Sequence, residues 1–326
     1  MNFDGDPFLD TALSLWEQVS SDGRPPSQVS ILKAAHRKSA VYRLDGADPR
    51  GTAVIAKRAR RSTIENERRV YQEVLSVLPV RSLRLYGSAD DKDRGYGWLF
   101  LEDAGDLEWS KNSPEHRHLA ARWLAQVHRG AERLVGKVSL PCTGVIYYRD
   151  LGRFAKQTLL AILSNPALPA QTRKLLERIA ADCSAFESQW GVVERILTRI
   201  PSTLALPGFE GKNARVRNLG SGLELLAYDF ENAFLGSPAM ELRDVDTAVY
   251  WQMAGRYWGV GIDYIVLLAT LGGALFGLKS IPGEAESLSS AWPEQSLQRI
   301  GYYSTYIGQA LDLMGRAGSG SRDHGS

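Results

Sequence analysis

The sequence predicts an α+β fold in two lobes: a small N-terminal lobe built on an antiparallel sheet, and a large, mainly helical C-terminal lobe. Three observations predict it. The first third is a series of short runs rich in Val, Ile, Tyr and Leu separated by turn signals. The remainder is dominated by longer segments with apolar residues at helical spacing. The 326 residues suffice for one large two-lobed unit or two domains. The expected division is 1–103 for the sheet-bearing lobe and 104–315 for the helical lobe. The small, polar "RAGSGSRDHGS", residues 316–326, is an expected disordered tail.

In chain order, "FLDTALSLWEQVS" (8–20) places Leu9, Leu13, Trp16 and Val19 on one helical face. "QVSILKAA", "SAVYRLDG" and "GTAVIAKRA" follow as an antiparallel meander, with "ADPR" as the turn between the last two. "STIENERRVYQEVLSVLP" reads as a helix capped by Ser62 or Thr63, with Val70, Tyr71, Val74, Leu75 and Leu78 as its buried stripe. "RSLRLYGSAD" and "YGWLFLEDA" are two more strands. Beyond residue 104, "EHRHLAARWLAQVHRGAERL" is an amphipathic helix, and residues 150–200 hold two or three more, broken at "SNPALPA". "PSTLALPGFEGKN" and "LELLAYDFENAFLGSP" read as short strands and loops, and helices resume from Ala239. The apolar run at 264–278 has Asp263 before it and Lys279 after it. It is shorter than the roughly 20 residues a bilayer requires, so it is expected to be a buried core helix, and no membrane partner is expected.

Composition removes several classes of function. The net charge of +2 gives no field that would draw nucleic acid or an anionic membrane. The cluster Lys57, Arg58, Arg60, Arg61, Arg68 and Arg69 lacks the interleaved aromatics of a nucleic-acid surface. Cys142 and Cys183 have no metal-type spacing, and the opening "MNFDGDPFLD" has no basic-then-apolar leader. A reducing, cytoplasmic location is the expectation. His116 and His118 lack the partners of a metal site, and His128 falls on a buried stripe as a core histidine.

Four polar residues form a pattern with chemical content. Lys57 ends an apolar strand, and Glu67 follows on the next helix, on the same face as Val70 and Tyr71. Asp229 directly follows the apolar strand "LLAY", a position suited to a hard oxygen donor for Mg²⁺. Asn213 ends the loop "GFEGKN" and offers an amide oxygen for a second metal position. Phosphoryl transfer needs cations at the phosphates, oxygen donors for a metal and a group that takes the proton of the nucleophile.

The pieces "VIAKRARR", "IENERRVYQEVL", "LFLEDAG", "LAARWLAQVH", "GFEGKNARV" and "LLAYDFENAFLGSPAMEL" together resemble the aminoglycoside phosphotransferase and choline-kinase-like branch of the protein-kinase-like fold. The last piece is the most specific: Tyr228-Asp229-Phe230-Glu231, then Gly236 and Pro238, then Glu241-Leu242. The resemblance implies ATP and Mg²⁺ as cofactors. It implies Lys57 at the α- and β-phosphates with Glu67 holding it, and Asn213 and Asp229 on the metal. It places backbone groups around Phe100, Leu101 and Glu102 at the adenine, and "AAHRKSAVY" as the phosphate-side loop with Ser39 as a donor. It implies a hydroxyl of a small molecule or peptide as acceptor, with the aromatic-rich 249–264 near it.

The chain departs from the pattern at one place. The family's catalytic loop reads His-Gly-Asp-x-x-x-x-Asn. Counting back from Asn213, Leu206 and Pro207 occupy the His and Gly positions, and Gly208 occupies that of the aspartate that accepts the acceptor's proton. Glu210 and Glu231 are the carboxylates near enough in sequence to substitute. Three readings stay open: a phosphotransferase with a relocated base, a pseudokinase acting through nucleotide or a protein partner, and a kinase fold repurposed in a natural-product modification pathway.

Overall fold

The computed structural model describes residues 8–22, 24–35, 39–93, 95–220, 222–286, 288 and 293–319. The chain forms two compact units that are discontinuous in sequence. One comprises Met1–Leu119, Gly136–Leu140 and Gly208–Ala233; the other Ala120–Val135, Pro141–Pro207 and Phe234–Ser326. The sequence places one boundary after residue 103. The structure groups the segment carrying Gly208, Asn213 and Asp229 with the sheet-bearing unit instead.

The first unit opens with helix α1 (Leu9–Val19) and strands β1 (Gln28–Ala35), β2 (Ser39–Asp45) and β3 (Val54–Arg60). Helix α2 (Arg61–Arg69) follows without a break, then β4 (Leu85–Asp90) and β5 (Tyr96–Glu102). The five strands form an antiparallel sheet in the order β1-β2-β3-β5-β4. Strand alternation sorts the side chains. Ala40, Tyr42, Leu44, Val54, Ala56, Trp98 and Phe100 share a face and form a core with Leu9, Ala12 and Trp16 of α1. Ser39, Val41, Arg43, Ile55, Lys57 and Leu101 fall on the opposite face.

The expected cap on α2 is corrected. The helix begins at Arg61, so Ser62 and Thr63 lie within its first turn and neither caps it. The Arg61 N–H is satisfied by the Gly95 carbonyl at 3.0 Å, so the neighbouring hairpin supplies what a side chain would otherwise give. The helix continues as a π turn over Val70–Val74 and a 3₁₀ turn over Leu75–Val77. Val70, Tyr71, Val74 and Leu75 are buried as the pattern requires, whereas Leu78, just past the last turn, is only half-buried. Arg58, one of the basic cluster, is buried: its guanidinium stacks at 4.0 Å on both Phe8 and Tyr96 and pairs with Asp91 at 2.6 Å.

The second unit takes up most of helix α3 (Pro114–Ala131) and contains α4 (Ile146–Leu163), α5 (Ala170–Ser188), α6 (Trp190–Thr198) and strand β6 (Thr203–Ala205). Strands β7 (Ala214–Asn218) and β8 (Leu223–Ala227) form a hairpin in the first unit, and β9 (Phe234–Gly236) pairs with β6 in the second. Helices α7 (Thr247–Tyr250), α8 (Ile262–Glu286) and α9 (Pro293–Ser319) complete the second unit. Thus α9 reaches Ser319, into the stretch expected to be a disordered tail; the rest of that stretch lies outside the described residues.

Helix α8 contains the apolar run. It is long and apolar enough to cross a bilayer by length and composition, and 67% of its most apolar window is buried within the protein. Gly272 is required there: a Cβ on it would stand 1.7 Å from the Ala239 carbonyl oxygen. His128 is a core histidine, as expected. It is fully buried, with Nδ1 2.8 Å from the Tyr250 hydroxyl and Nε2 3.3 Å from a Glu241 carboxylate oxygen. The same Glu241 oxygen accepts the Leu206 N–H at 2.9 Å, and Lys279 donates to the Pro207 carbonyl at 3.1 Å. The residues in the family's His-Gly positions are thereby fixed through their backbone.

Candidate functional site

Within the first unit a cavity of about 650 Å³ opens on the sheet face that carries Ser39, Val41, Arg43, Ile55, Lys57 and Leu101. Its remaining wall includes Glu67 of α2, the strand end Glu102–Asp106, and Lys212, Asn213, Arg215, Tyr228, Asp229 and Glu231. The volume falls in the range typical of small-molecule and cofactor sites.

Lys57 is the hub. Its position on β3, paired with Val41 of β2 and Leu99 of β5, turns its side chain into the cavity. Its Nζ donates to Glu67 Oε2 at 2.7 Å and to Asp229 Oδ1. Glu67 is fully buried, and its second oxygen accepts the Asp229 backbone N–H at 3.1 Å. One carboxylate therefore holds the lysine with one oxygen and the backbone of the aspartate with the other. Burial alone would lower the pKa of Lys57; the Glu67 and Asp229 carboxylates outweigh it and hold the ammonium charged well above its usual range. Burial raises the pKa of Glu67, Lys57 opposes the rise, and Asp229 adds to it.

Asp229 is the one non-glycine residue with positive φ among the described residues, at 65°. That conformation costs an L-residue on the order of 1–2 kcal/mol. Its hydrogen bond to Glu67 holds it there. An uncommon backbone conformation at a carboxylate beside a cavity makes Asp229 a candidate functional residue.

Asn213 ends a 3₁₀ turn, Gly211–Asn213, and is 8% exposed. Its N–H donates to the Glu210 carbonyl at 2.9 Å, and its own carbonyl accepts from Tyr228 at 3.0 Å, which ties the loop to the end of β8. Its Nδ2 donates to the Gly208 carbonyl at 2.8 Å. The side-chain oxygen is what remains for a ligand. Asp229 and Asn213 thus bring a carboxylate and an amide to one cavity. Among the described residues no group of three or more His, Cys, Asp or Glu could hold a metal by itself. This donor set fits Mg²⁺, which is commonly held by one or two protein oxygens and completed by phosphates and water.

The other sequence candidates divide. Ser39, Leu101, Glu102 and Glu231 line the cavity. The Phe100 side chain lies on the opposite sheet face, tilted against Trp16 and stacked on Trp98 in the core, so only its backbone is available to the cavity side. Residues 36–38 of the proposed phosphate-side loop "AAHRKSAVY" lie outside the described residues. Glu102 is engaged: it accepts from the Arg84 N–H at 3.1 Å and from Arg217 Nη1 at 2.5 Å, and Arg217 Nη2 also donates to the Asp103 carbonyl at 2.6 Å. Glu210 is away from the cavity lining, with its carboxylate 2.9 Å from Lys212 Nζ. At Gly208, an added Cβ would meet only Asn213 Nδ2 at 3.6 Å and the Asp229 carbonyl oxygen at 3.7 Å, both ordinary contacts.

Sequence reasoning missed Asn66, Arg43 and Arg217. Asn66 sits directly before Glu67, and its Nδ2 donates to three carbonyls, those of Phe230 at 3.4 Å and of Glu231 and Ala233 at 3.0 Å. Arg43 shares the face of Ser39 and Val41 on β2, so strand alternation could have found it. Its Nε lies 3.0 Å from the Asp103 carboxylate.

No family model and no curated protein matches the chain. Solved structures do. A GDP complex of a point mutant of aminoglycoside 2'-phosphotransferase-IIIa superposes with a TM-score of 0.64 at 12% identity, over 93% of this chain and 98% of that one. An ethanolamine kinase from Plasmodium vivax gives 0.54 at 12% identity, over 87% and 81%. A macrolide 2'-phosphotransferase from Brachybacterium faecium gives 0.51 at 12% identity, over 93% and 98%. The chain accordingly has the protein-kinase-like α+β fold of the aminoglycoside phosphotransferases and their ethanolamine-kinase relatives.

Proposed function

We propose that the protein binds a nucleoside triphosphate with Mg²⁺ in the cavity of its first unit and transfers the terminal phosphoryl group, slowly, to a hydroxyl of a small molecule. The observation that carries this reading is the convergence of Lys57, Glu67, Asn213 and Asp229 on one cavity from three separate stretches of chain. Lys57, charged and held by Glu67, supplies the fixed cation for the phosphates. Asp229 and Asn213 would hold the metal, which neutralises charge on the phosphate oxygens. Leu101, Ile55 and Val41 give the apolar wall for the base. The neighbours support the kind of reaction: that aminoglycoside phosphotransferase structure holds GDP, and another, of a spectinomycin phosphotransferase, holds ADP.

Gly208 sets the rate. It has no group to take the acceptor's proton, a contribution of ~10²–10⁴-fold where a base is present. Positioning and charge stabilisation, which carry most of phosphoryl transfer, do not depend on it. The same glycine favours a second reading, a nucleotide-binding module without transfer.

The test is a calorimetric titration of MgATP into the wild type and into Asp229→Ala. Saturable binding that the substitution removes supports the proposal. A wild type that binds no nucleotide overturns it, and binding with no ADP release against any hydroxyl acceptor leaves the second reading.

A further inference from the structure

Helix α2 meets the segment after Asp229 at two adjacent side chains. Glu67 takes the Asp229 N–H and Lys57. Asn66 spans the next four residues: Phe230 to Ala233 form a turn closed by the Ala233 N–H to the Phe230 carbonyl at 3.0 Å, and Asn66 Nδ2 donates to the carbonyls of Phe230, Glu231 and Ala233. Two N–H hydrogens serve three acceptors, so the 3.4 Å contact to Phe230 is shared. The amide orientation is forced, because only the nitrogen end can face three carbonyls.

The clamp has a mechanical consequence. Asp229 is held at φ 65°, a conformation that a free loop would leave. Glu67 holds the N-terminal side of its peptide, and Asn66 holds the turn on its C-terminal side. Tyr71, one turn further along the same helix, packs edge-on against Phe230 with ring centroids 5.3 Å apart, which adds an apolar pin.

We propose that Asn66 is a positioning residue for the metal–phosphate end of the cavity: by clamping the turn after Asp229 it fixes the Asp229 carboxylate in the orientation a nucleotide-bound Mg²⁺ requires. This rests on the phosphotransferase reading above. Asn66 does not line the cavity, so its effect passes through the backbone of residues 230–233.

The two readings separate in one experiment. ATP affinity is measured by calorimetry with Mg²⁺ and with chelator, and the ratio of the two is compared among the wild type, Asn66→Ala and Asn66→Asp. Asn66→Ala removes the donor alone, and Asn66→Asp also sets a carboxylate against three carbonyls. The expected result is metal-free affinity within about twofold of the wild type and a Mg²⁺-dependent gain reduced about 10–100-fold, the usual effect of losing a partner that orients a metal ligand. A purely structural asparagine would lower thermal stability and leave the ratio unchanged, and an unchanged ratio overturns the inference while the phosphotransferase reading stands. Should Asn66→Asp fail to fold, the ratio in Asn66→Ala decides. A wild type that binds no nucleotide, or binds it indifferently to Mg²⁺, overturns both.

Discussion

On the proposed reading, replacing Gly208 with aspartate supplies the carboxylate that the loop at 206–213 lacks, and the position has room for it. The added Cβ stands 3.6 Å from Asn213 Nδ2 and 3.7 Å from the Asp229 carbonyl oxygen, with no nearer atom. Gly208 is not among the glycines with positive φ, so an L-residue adopts its backbone without strain. Removing a glycine where the conformation is compatible stabilises by ~0.4–1 kcal/mol through the unfolded chain. The new carboxylate adds repulsion with Asp229, which Lys57 screens at hydrogen-bonding range. Stability should therefore change by less than about 1 kcal/mol. Turnover is the informative quantity. A base contributes ~10²–10⁴-fold, so ADP release from MgATP, followed with a coupled assay and water or a polyol as acceptor, should rise by about 10²-fold. Unchanged turnover in a folded Gly208→Asp protein that binds MgATP as the wild type does would refute the reasoning: the loop would then lack more than a carboxylate.

Two further outcomes follow from the same geometry. Lys57→Met leaves the fully buried Glu67 without its cation and should cost about 3 kcal/mol in urea unfolding, the lower end for a broken buried pair because Glu67 can take up a proton; Lys57→Met with Glu67→Gln should recover more than half of that loss, and strict additivity would sink the account. Asp91 gives a pH signature. Burial alone would raise its pKa, but hydrogen bonds from Arg58, the Asp93 amide and the Trp98 indole outweigh it and hold the pKa below 3.8. A depressed folded-state pKa contributes stability present above pH 3.8 and lost as pH falls through the folded value, so urea midpoints should drop below pH 3.8, and Asp91→Asn should flatten that drop.

The sheet and its helices were legible because their signals are local. Alternation in "SAVYRLDG" and "VIAKRARR" sets which side chains face α1 and which face the cavity, and the observed register follows it. Lys57 and Glu67 were legible as a pair because strand and helix are consecutive. The cap on α2 was misplaced because its first N–H is satisfied by Gly95, a partner from a hairpin 34 residues downstream that no local rule reveals. Asn66 was invisible for the same reason. An asparagine inside a helix reads as a weak helix former, and its three acceptors lie in a turn 164 to 167 residues away. Arg217 likewise acquires meaning only when the β7–β8 hairpin brings it to Glu102 and the Asp103 carbonyl.

On the phosphotransferase reading, the site has groups for metal and phosphate and lacks a group for the acceptor's proton. Of the two carboxylates near the missing base in sequence, Glu210 turns to Lys212 and Glu231 lines the cavity. Glu231 belongs to the turn that Asn66 clamps, so its backbone cannot swing far toward an acceptor. Meanwhile the groups proposed to act on the phosphates are tied together: one lysine bonded to two carboxylates, one of those carboxylates holding the other's backbone, and an asparagine securing the turn beyond. If positioning and charge dominate phosphoryl transfer here, Asp229→Ala should depress turnover further than Gly208→Asp raises it. The two ratios, measured on one preparation with one acceptor, decide between a slow catalyst with an intact phosphate site and a binding module in which neither substitution moves the rate.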